Sequence, residues 1–124
     1  MKITSFNPLI VTTDPEKTIK LFEELGFEKR HTKENLDGRE DIVGVRMKDA
    51  NGFYVDIADL PNIPQDMTFI RMNVDNFEEA YNTLIARGFT NTRGDGTVDT
   101  KSATAATMVS PSGFTISLVQ HVRK

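Results

Sequence analysis

The sequence predicts an α+β fold made of two tandem βαβββ modules, and an internal repeat is the first observation behind that prediction. The segment ending in Gly26-Phe27 resembles the segment ending in Gly88-Phe89, half the length of the 124-residue chain later. The pair Gly52-Phe53 recurs in nearly the same register as Gly113-Phe114. The second observation is that each half has the pattern of one strand, one helix and three further strands. Two similar structural units explain both observations.

Length and composition favour one folded domain. The chain is 38% hydrophobic and 27% charged, which is typical of a globular protein and not of a disordered or fibrous one. A linker with two prolines separates the halves. We expect a single domain over residues 1–124, with module one at 1–60, the linker at 61–66 and module two at 67–124.

Each module is predicted to begin with a strand. In module two, Ile70, Met72 and Val74 alternate with side chains of a different character, at the period of two that a strand with two distinct faces requires. In module one, Pro8 and Ile10 follow this pattern less cleanly.

A short amphipathic helix follows each first strand. Asp14, with a proline after it, predicts the start of the first helix, and Asn76 predicts the start of the second. Glu79 stands three residues after Asn76, where its side chain would complete a capping box. Gly26 and Gly88 supply the left-handed residue that commonly ends a helix.

Three strand-like runs follow each helix. They span about 27–34, 41–48 and 53–59 in module one and about 89–93, 103–109 and 114–121 in module two. The last two runs of each module are expected to form a hairpin whose three-residue loop ends in glycine. Counting outward from that loop pairs Arg46 with Asp56 in module one and Thr107 with Ser117 in module two.

The two faces of each predicted sheet differ in character. One face is apolar and must be covered by the helix of its own module. The mixed faces of the two modules are expected to form a cupped mixed sheet around a shared cavity, within one chain or between two chains. The segments 35–39 and 94–99 are interpreted either as flaps at the mouth of that cavity or as ordinary surface loops.

Charge and cysteine content exclude several classes of protein. The formal net charge is −3 with scattered Lys and Arg, so no nucleic-acid-binding surface is indicated. The absence of cysteine excludes disulfides, a thiolate nucleophile and a cysteine zinc site. No apolar run approaches the roughly 20 residues of a membrane span, and no signal-peptide core is visible. We expect a soluble, cytoplasmic protein.

Several short motifs resemble those of the vicinal oxygen chelate superfamily, which includes glyoxalase I, extradiol dioxygenases and bleomycin-resistance proteins. The motifs are the run from Ile10 to Lys17, the Glu-Leu-Gly-Phe at 24–27 and the Pro-Ser-Gly-Phe at 111–114. With the tandem modules, the resemblance covers essentially the whole chain. It implies the fold strongly and the activity only weakly.

The resemblance also implies four positions at which metal-using members hold a divalent ion. They fall on Asn7 and Asp56 in module one and on Phe69 and Ser117 in module two. Only Asp56 carries the expected kind of ligand, whereas a divalent ion needs several oxygen or imidazole donors. We therefore expect no metal and no other cofactor; a weak site at Asp56 and Asn7 completed by water is the alternative.

Two charged residues have both a structural and a functional interpretation. Asp56 faces Arg46 across the predicted hairpin, so it forms an ordinary cross-strand ion pair or contributes to a ligand site. Arg71 should point into the cavity, where a guanidinium favours carboxylate or phosphate groups. It would otherwise pair with Asp56 or another acidic residue.

The function predicted first is metal-independent binding of a small molecule, as in the antibiotic-sequestering branch that the sequence resembles. The proposed ligand-binding residues are Asn7, Leu9, Tyr54, Asp56, Phe69, Arg71, Asn73 and Ser117. Cations on this face argue against cationic bleomycin itself and favour an aromatic or anionic ligand.

Two other functions remain open from the sequence. One is a metal-dependent lyase, isomerase or dioxygenase with an atypical metal site. The other is an interaction module in which the cavity is incidental. The resemblance further implies a homodimer, and no nucleic-acid or membrane partner is expected.

Overall fold

The computed structural model describes residues 1–34, 43–99 and 103–121, and it confirms the α+β class and the two βαβββ modules. The bounds of module one's elements are β1 Ile3–Thr12, α1 Pro15–Glu24, β2 Glu28–Glu34, β3 Val43–Lys48 and β4 Tyr54–Asp59. Those of module two are β5 Met67–Val74, α2 Phe77–Ala86, β6 Thr90–Asn91, β7 Val98–Asp99, β8 Ala103–Val109 and β9 Thr115–His121. The predicted segment 35–39, positions 41–42 of the predicted third run and residues 100–101 lie outside the described residues.

The chain divides into two compact units whose bounds differ from those predicted for the modules, and from here on module one and module two denote these units. Module one comprises residues 7–68, and module two comprises residues 69–124 together with residues 1–6. Strand β1 therefore begins in module two and ends in module one, which the repeat did not indicate. The predicted shared cavity stays a prediction.

The strands of module one lie in the order β2, β3, β4, β1. Strand β1 is parallel to β4, and the other neighbours are antiparallel. Helix α1 covers one face, where Ile19 packs on a core that Met47 and Ile57 fill without any exposure to solvent. The predicted pairing of Arg46 with Asp56 is confirmed.

Module two repeats this arrangement with the strand order β5, β9, β8, β6. Strand β5 is parallel to β9, and Thr107 lies opposite Ser117 as predicted. The core beneath α2 is centred on Met108 and Leu118, which are both fully buried. The other face of each sheet is consequently the one on which polar side chains accumulate.

Both predicted helix starts are confirmed, but one capping interaction differs. The side chain of Asp14 accepts from the backbone N–H of Lys17 at 3.3 Å, and that of Asn76 accepts from the N–H of Glu79 at 3.1 Å. The Glu79 carboxylate does not answer as a capping box; it binds the amino group of Met1 at 2.9 Å. A full positive charge is a stronger partner for a carboxylate than a backbone N–H.

Both helices end at the predicted glycines, in the left-handed conformation. Gly26 has φ 104° and Gly88 has φ 91°. After α1, the N–H of Phe27 donates to the carbonyl of Phe22 at 2.9 Å, and the two rings pack edge to face at 5.4 Å. This is the hydrogen bond and apolar contact of a Schellman motif, which explains why phenylalanine follows glycine in the repeat.

The predicted strand at 89–93 is shorter than expected, because the side chain of Asn91 turns the backbone. Its Oδ1 accepts from the N–H of Arg93 at 3.0 Å, and its Nδ2 donates to the carbonyl of Gly96 at 2.8 Å. An asparagine that binds its own backbone in this way competes with strand pairing. Residues 98–99, predicted to be loop, instead pair with β8.

Neither α1 nor α2 has the length or the apolar character of a membrane-crossing helix, and the described part of the chain contains no other helix.

Candidate functional site

The polar face of module one is formed by alternate residues of three adjacent strands. Asn7 and Leu9 stand on β1, and Tyr54 and Asp56 stand on β4. On β4, Val55 and Ile57 alternate with these residues and supply the core on the other face, because successive side chains of a strand point to opposite sides. Parallel pairing of β1 with β4 sets Leu9 beside Asp56. The sheet thus brings all four predicted residues of this module to one face.

Arg46 joins two of these residues through a network of three hydrogen bonds. Its Nε donates to Oδ1 of Asp56 at 3.1 Å, and its Nη2 donates to Oδ1 of Asn7 at 2.7 Å. In the third hydrogen bond, Nδ2 of Asn7 donates to Oδ2 of Asp56 at 3.1 Å. Asn7 is 5% and Asp56 6% exposed. The cross-strand ion pair predicted for Asp56 is therefore present.

Burial makes this network more than a surface ion pair. The side chains of Arg46 and Asp56 are 26% and 9% exposed, so water screens the pair less than it would at an open surface. Asn7 adds an amide that accepts from the cation and donates to the anion. The guanidinium is therefore held in a fixed orientation, which its planar fork of donors favours.

Tyr54 lies beside two cations on the same face. The centre of the Arg46 guanidinium lies 4.5 Å from the centroid of the tyrosine ring, and Nζ of Lys48 lies 5.4 Å from it. Both distances are within the range of a cation–π interaction. Two cations therefore lie beside one aromatic ring, with Asp56 and, opposite Lys48 in the antiparallel register, Glu28 as carboxylates on the same face.

The other four predicted residues lie on two neighbouring strands of module two. Phe69, Arg71 and Asn73 alternate along β5 with core residues, and Ser117 lies beside Arg71 in the parallel register of β5 and β9. Asn73 is 6% exposed, and nothing in the described part of the chain donates to its Oδ1. A buried amide oxygen without a hydrogen bond is uncommon.

The side chains at the four implied metal positions do not fit a divalent ion. In module one, the amide oxygen of Asn7 already accepts from Arg46, and the two carboxylate oxygens of Asp56 accept from Arg46 and from the Asn7 amide. The guanidinium also places a positive charge beside them. In module two, Phe69 has no donor atom and Ser117 has a neutral hydroxyl. Within residues 1–34, 43–99 and 103–121, no three His, Asp or Glu side chains form a cluster suited to a metal.

Sequence reasoning missed one further feature, a cavity of about 260 Å³ in module one. It lies where β2 begins and β3 ends, and it is lined by Gly26, Glu28, Arg30, Lys48, Asp49 and Ala50. Two acidic and two basic residues balance its charge. One of these residues, Arg30, lies at the β-bulge of β2 between Lys29 and His31, a structural irregularity that the sequence pattern did not indicate.

Comparison with known proteins supports the fold. Crystal structures with the same fold include methylmalonyl-CoA epimerase from Mycobacterium tuberculosis, with a TM-score of 0.73 at 12% identity over 98% of this chain and 90% of that chain. A Streptomyces coelicolor methylmalonyl-CoA epimerase in complex with 2-nitronate-propionyl-CoA gives 0.69 at 13% identity, over 98% of this chain and 100% of that one. A superfamily member from Vibrio splendidus gives 0.59 at 14% identity, over 96% and 99%.

At such low identities, these structures establish the fold and not the activity. Among curated proteins, no sequence matches this chain. The sequence profile of one family, however, matches residues 3–118, which is nearly the whole chain. On this match and the shared fold, the chain belongs to the glyoxalase/bleomycin resistance protein/dioxygenase superfamily.

Proposed function

We propose that this protein binds a small aromatic or anionic molecule without a metal ion and without breaking a bond in it. The observation that carries the proposal is the hydrogen-bonded network of Arg46, Asn7 and Asp56. In metal-using members of the superfamily, the positions of Asn7 and Asp56 contribute ligands to a cation. In this chain, a protein cation binds both side chains.

The electrostatics of that arrangement oppose metal binding. A divalent ion at Asp56 would lie close to the guanidinium charge, in a site that water screens poorly. It would also have to displace two charge-assisted hydrogen bonds, which are about twice as strong as neutral ones. Asn7 and Asp56 alone would repay little of the ion's dehydration.

The chemistry of the polar faces favours the proposed class of ligand. Tyr54 in module one and Phe69 in module two offer aromatic surfaces, and Lys48 and Arg71 add positive charge. A few polar groups beside aromatic walls are typical of small-molecule sites. The same cations disfavour a cationic ligand such as bleomycin, because like charges repel.

A ligand screen in the presence of EDTA tests the proposal. Thermal shift against aromatic acids and antibiotics should find compounds that raise the unfolding midpoint, because a ligand of the folded state stabilises it. Calorimetry should then give the same Kd, within about twofold, in EDTA and with added nickel, zinc, manganese or iron. The ligand should be recovered chemically unchanged. A uniformly flat screen would contradict the proposal.

Matched variants locate the binding residues. Tyr54→Ala and Arg71→Ala should each weaken binding of any compound found. Arg87→Ala serves as the control, because Arg87 is an exposed arginine at the end of α2 and lies outside the proposed site. If all three variants bind alike, the proposed residues are wrong even where binding itself is real.

The competing function is a metal-dependent isomerase, and the epimerases among the similar structures favour it. An epimerase exchanges a proton of its substrate with solvent. Methylmalonyl-CoA incubated with the protein and cobalt, nickel, zinc, manganese or iron in heavy water would then take up deuterium. We expect no uptake above a no-protein control.

We further propose that the protein is a cytoplasmic homodimer. Leu25 and Phe53 are 64% and 67% exposed in module one, and large apolar side chains on a surface often mark an interface. Size-exclusion chromatography with light scattering should give twice the mass of the 13.9 kDa chain. A monomer at micromolar concentration would refute the dimer and leave the binding proposal intact.

A further inference from the structure

Asn73 has a buried polar atom that the described residues leave without a hydrogen bond. Its side chain is on the polar face of module two and is 6% exposed, yet nothing in the described ranges donates to Oδ1. Its neighbour in the parallel register is Val119, which is also 6% exposed and offers no side-chain donor. Leaving such an acceptor unpaired destabilises a protein unless something else occupies the position.

The surroundings of Asn73 combine charge, a hydroxyl and apolar surface. Arg71 stands two residues before Asn73 on the same face of β5, and Ser117 lies beside Arg71 on β9. A guanidinium carries five donors, so it can keep a protein partner and still bind an anion. The α-carbons of residues i and i+2 in a strand are about 7 Å apart, a separation that a meta- or para-substituted aromatic acid spans.

We infer that Asn73 is a specificity-determining residue, which accepts a hydrogen bond from an N–H or O–H group of a ligand whose anionic group lies toward Arg71. The inference rests on the proposed function and narrows its ligand class to aromatic acids that carry a hydrogen-bond donor. A ligand without the donor leaves Oδ1 of Asn73 unpaired and dehydrated. Sites built around a hydrogen bond discriminate strongly against analogues that lack it.

Matched probes test this directly. The set is 4-hydroxybenzoate, 4-aminobenzoate, 4-methoxybenzoate, their 3-substituted isomers and unsubstituted benzoate, titrated by calorimetry in EDTA. The hydroxybenzoates and aminobenzoates should bind at least about tenfold more tightly than the methoxybenzoates and benzoate. The aminobenzoates also show whether Asn73 accepts or donates the hydrogen bond. If the Asn73 amide donated a hydrogen bond to the ligand instead, the methoxybenzoates would bind better than the aminobenzoates, and the inference would be wrong.

Asn73→Leu removes the acceptor at similar size. The variant should bind all the probes within about twofold of each other, and its thermal midpoint without ligand should equal or exceed that of the wild type. Asn82→Leu is the control, because Asn82 is an exposed amide on α2; it should keep the tenfold preference. If Asn73→Leu fails to fold, Asn73 is a structural residue and the inference is overturned. Asn73→Ala checks independently whether Asn73 has that structural role.

The outcomes separate this inference from the proposed function. If the benzoates bind without preference, or if other compounds bind and no benzoate does, the inference fails while metal-independent binding stands. Equal binding of donor and methoxy acids would indicate that a water molecule satisfies Asn73. If no compound in the wider screen binds, both fail.

Discussion

Replacing Arg46 by methionine should destabilise the protein by about 3 kcal/mol. The substitution keeps an unbranched side chain but removes the donors to Asp56 and Asn7, at 3.1 and 2.7 Å. Breaking a fully buried ion pair costs about 3–5 kcal/mol. Because 26% of the Arg46 side chain is exposed, water compensates part of the loss, and the lower end of that range applies.

Lys48→Met provides the matched control. Lys48 is on the same strand, two residues along, and its Nζ also lies over the Tyr54 ring. It has no carboxylate partner among the described ion pairs. Losing a partly exposed cation–π contact costs about 0.5–1 kcal/mol. Arg46→Met should thus be about 2 kcal/mol more destabilising than Lys48→Met.

Urea denaturation followed by circular dichroism measures both variants, provided that their denaturant slopes agree. A double variant of Arg46→Met with Asp56→Asn should be less destabilised than Arg46→Met alone, because it buries no uncompensated carboxylate. Equal stability of the Arg46 and Lys48 variants would refute the reasoning. It would mean that the network is held no more tightly than a surface ion pair.

Two further predictions concern the helix ends and the amino terminus. Gly88→Ala should destabilise the protein more than Gly26→Ala, as measured by chemical denaturation. Both residues have positive φ, and a side chain in that conformation costs about 1–2 kcal/mol. Only at Gly88 would the new Cβ also meet Pro111, at 3.0 Å. The hydrogen bond and charge of Glu79 raise the pKa of the Met1 amino group. The stabilisation from this pair is therefore complete below the pKa of the unfolded amine and is lost as the pH rises through the higher folded value. Thermal unfolding of wild type and Glu79→Gln should differ at neutral pH, and the difference should shrink as the pH rises through the raised pKa of the amine; a gap that does not shrink in alkaline solution would contradict the pairing.

The hairpins could be predicted from sequence because their register is a local property. In module one, a glycine with φ 88° at position 52 closes the turn, and the pairing of Arg46 with Asp56 follows by counting from it. The turn at Gly113 fixes the pairing of Thr107 with Ser117 in the same way. Register set by a short turn does not depend on the rest of the fold.

The role of Asn7 could not be predicted, because it depends on contacts between residues far apart in the chain. Asn7 and Arg46 are 39 residues apart in sequence, and they meet only because β1 lies next to β4. The motif resemblance indicated a metal position at Asn7, but not that a guanidinium would bind it. A strand's neighbour in a parallel sheet is set by the whole topology rather than by a turn.

Local rules also failed at two positions where a side chain bound a partner other than the predicted one. Glu79 had the spacing of a capping box, yet the Met1 amino group takes its carboxylate. Asn91 fell within a strand-like run, but its side chain binds the backbone of Arg93 and Gly96 and turns the chain. In both cases the residue type was informative, but the partner was not: a tertiary contact decided it for Glu79, whereas Asn91 binds backbone groups only two and five residues along the chain.

The central claim is that a protein cation at Asn7 and Asp56 replaces a metal ion. Calorimetric titration of EDTA-treated protein with nickel, zinc, manganese and iron, followed by elemental analysis after dialysis, tests it most directly. The account predicts no saturable heat and well under one metal ion per chain. Binding of one ion per chain that also raises the thermal midpoint, and that Asp56→Asn abolishes, would contradict it.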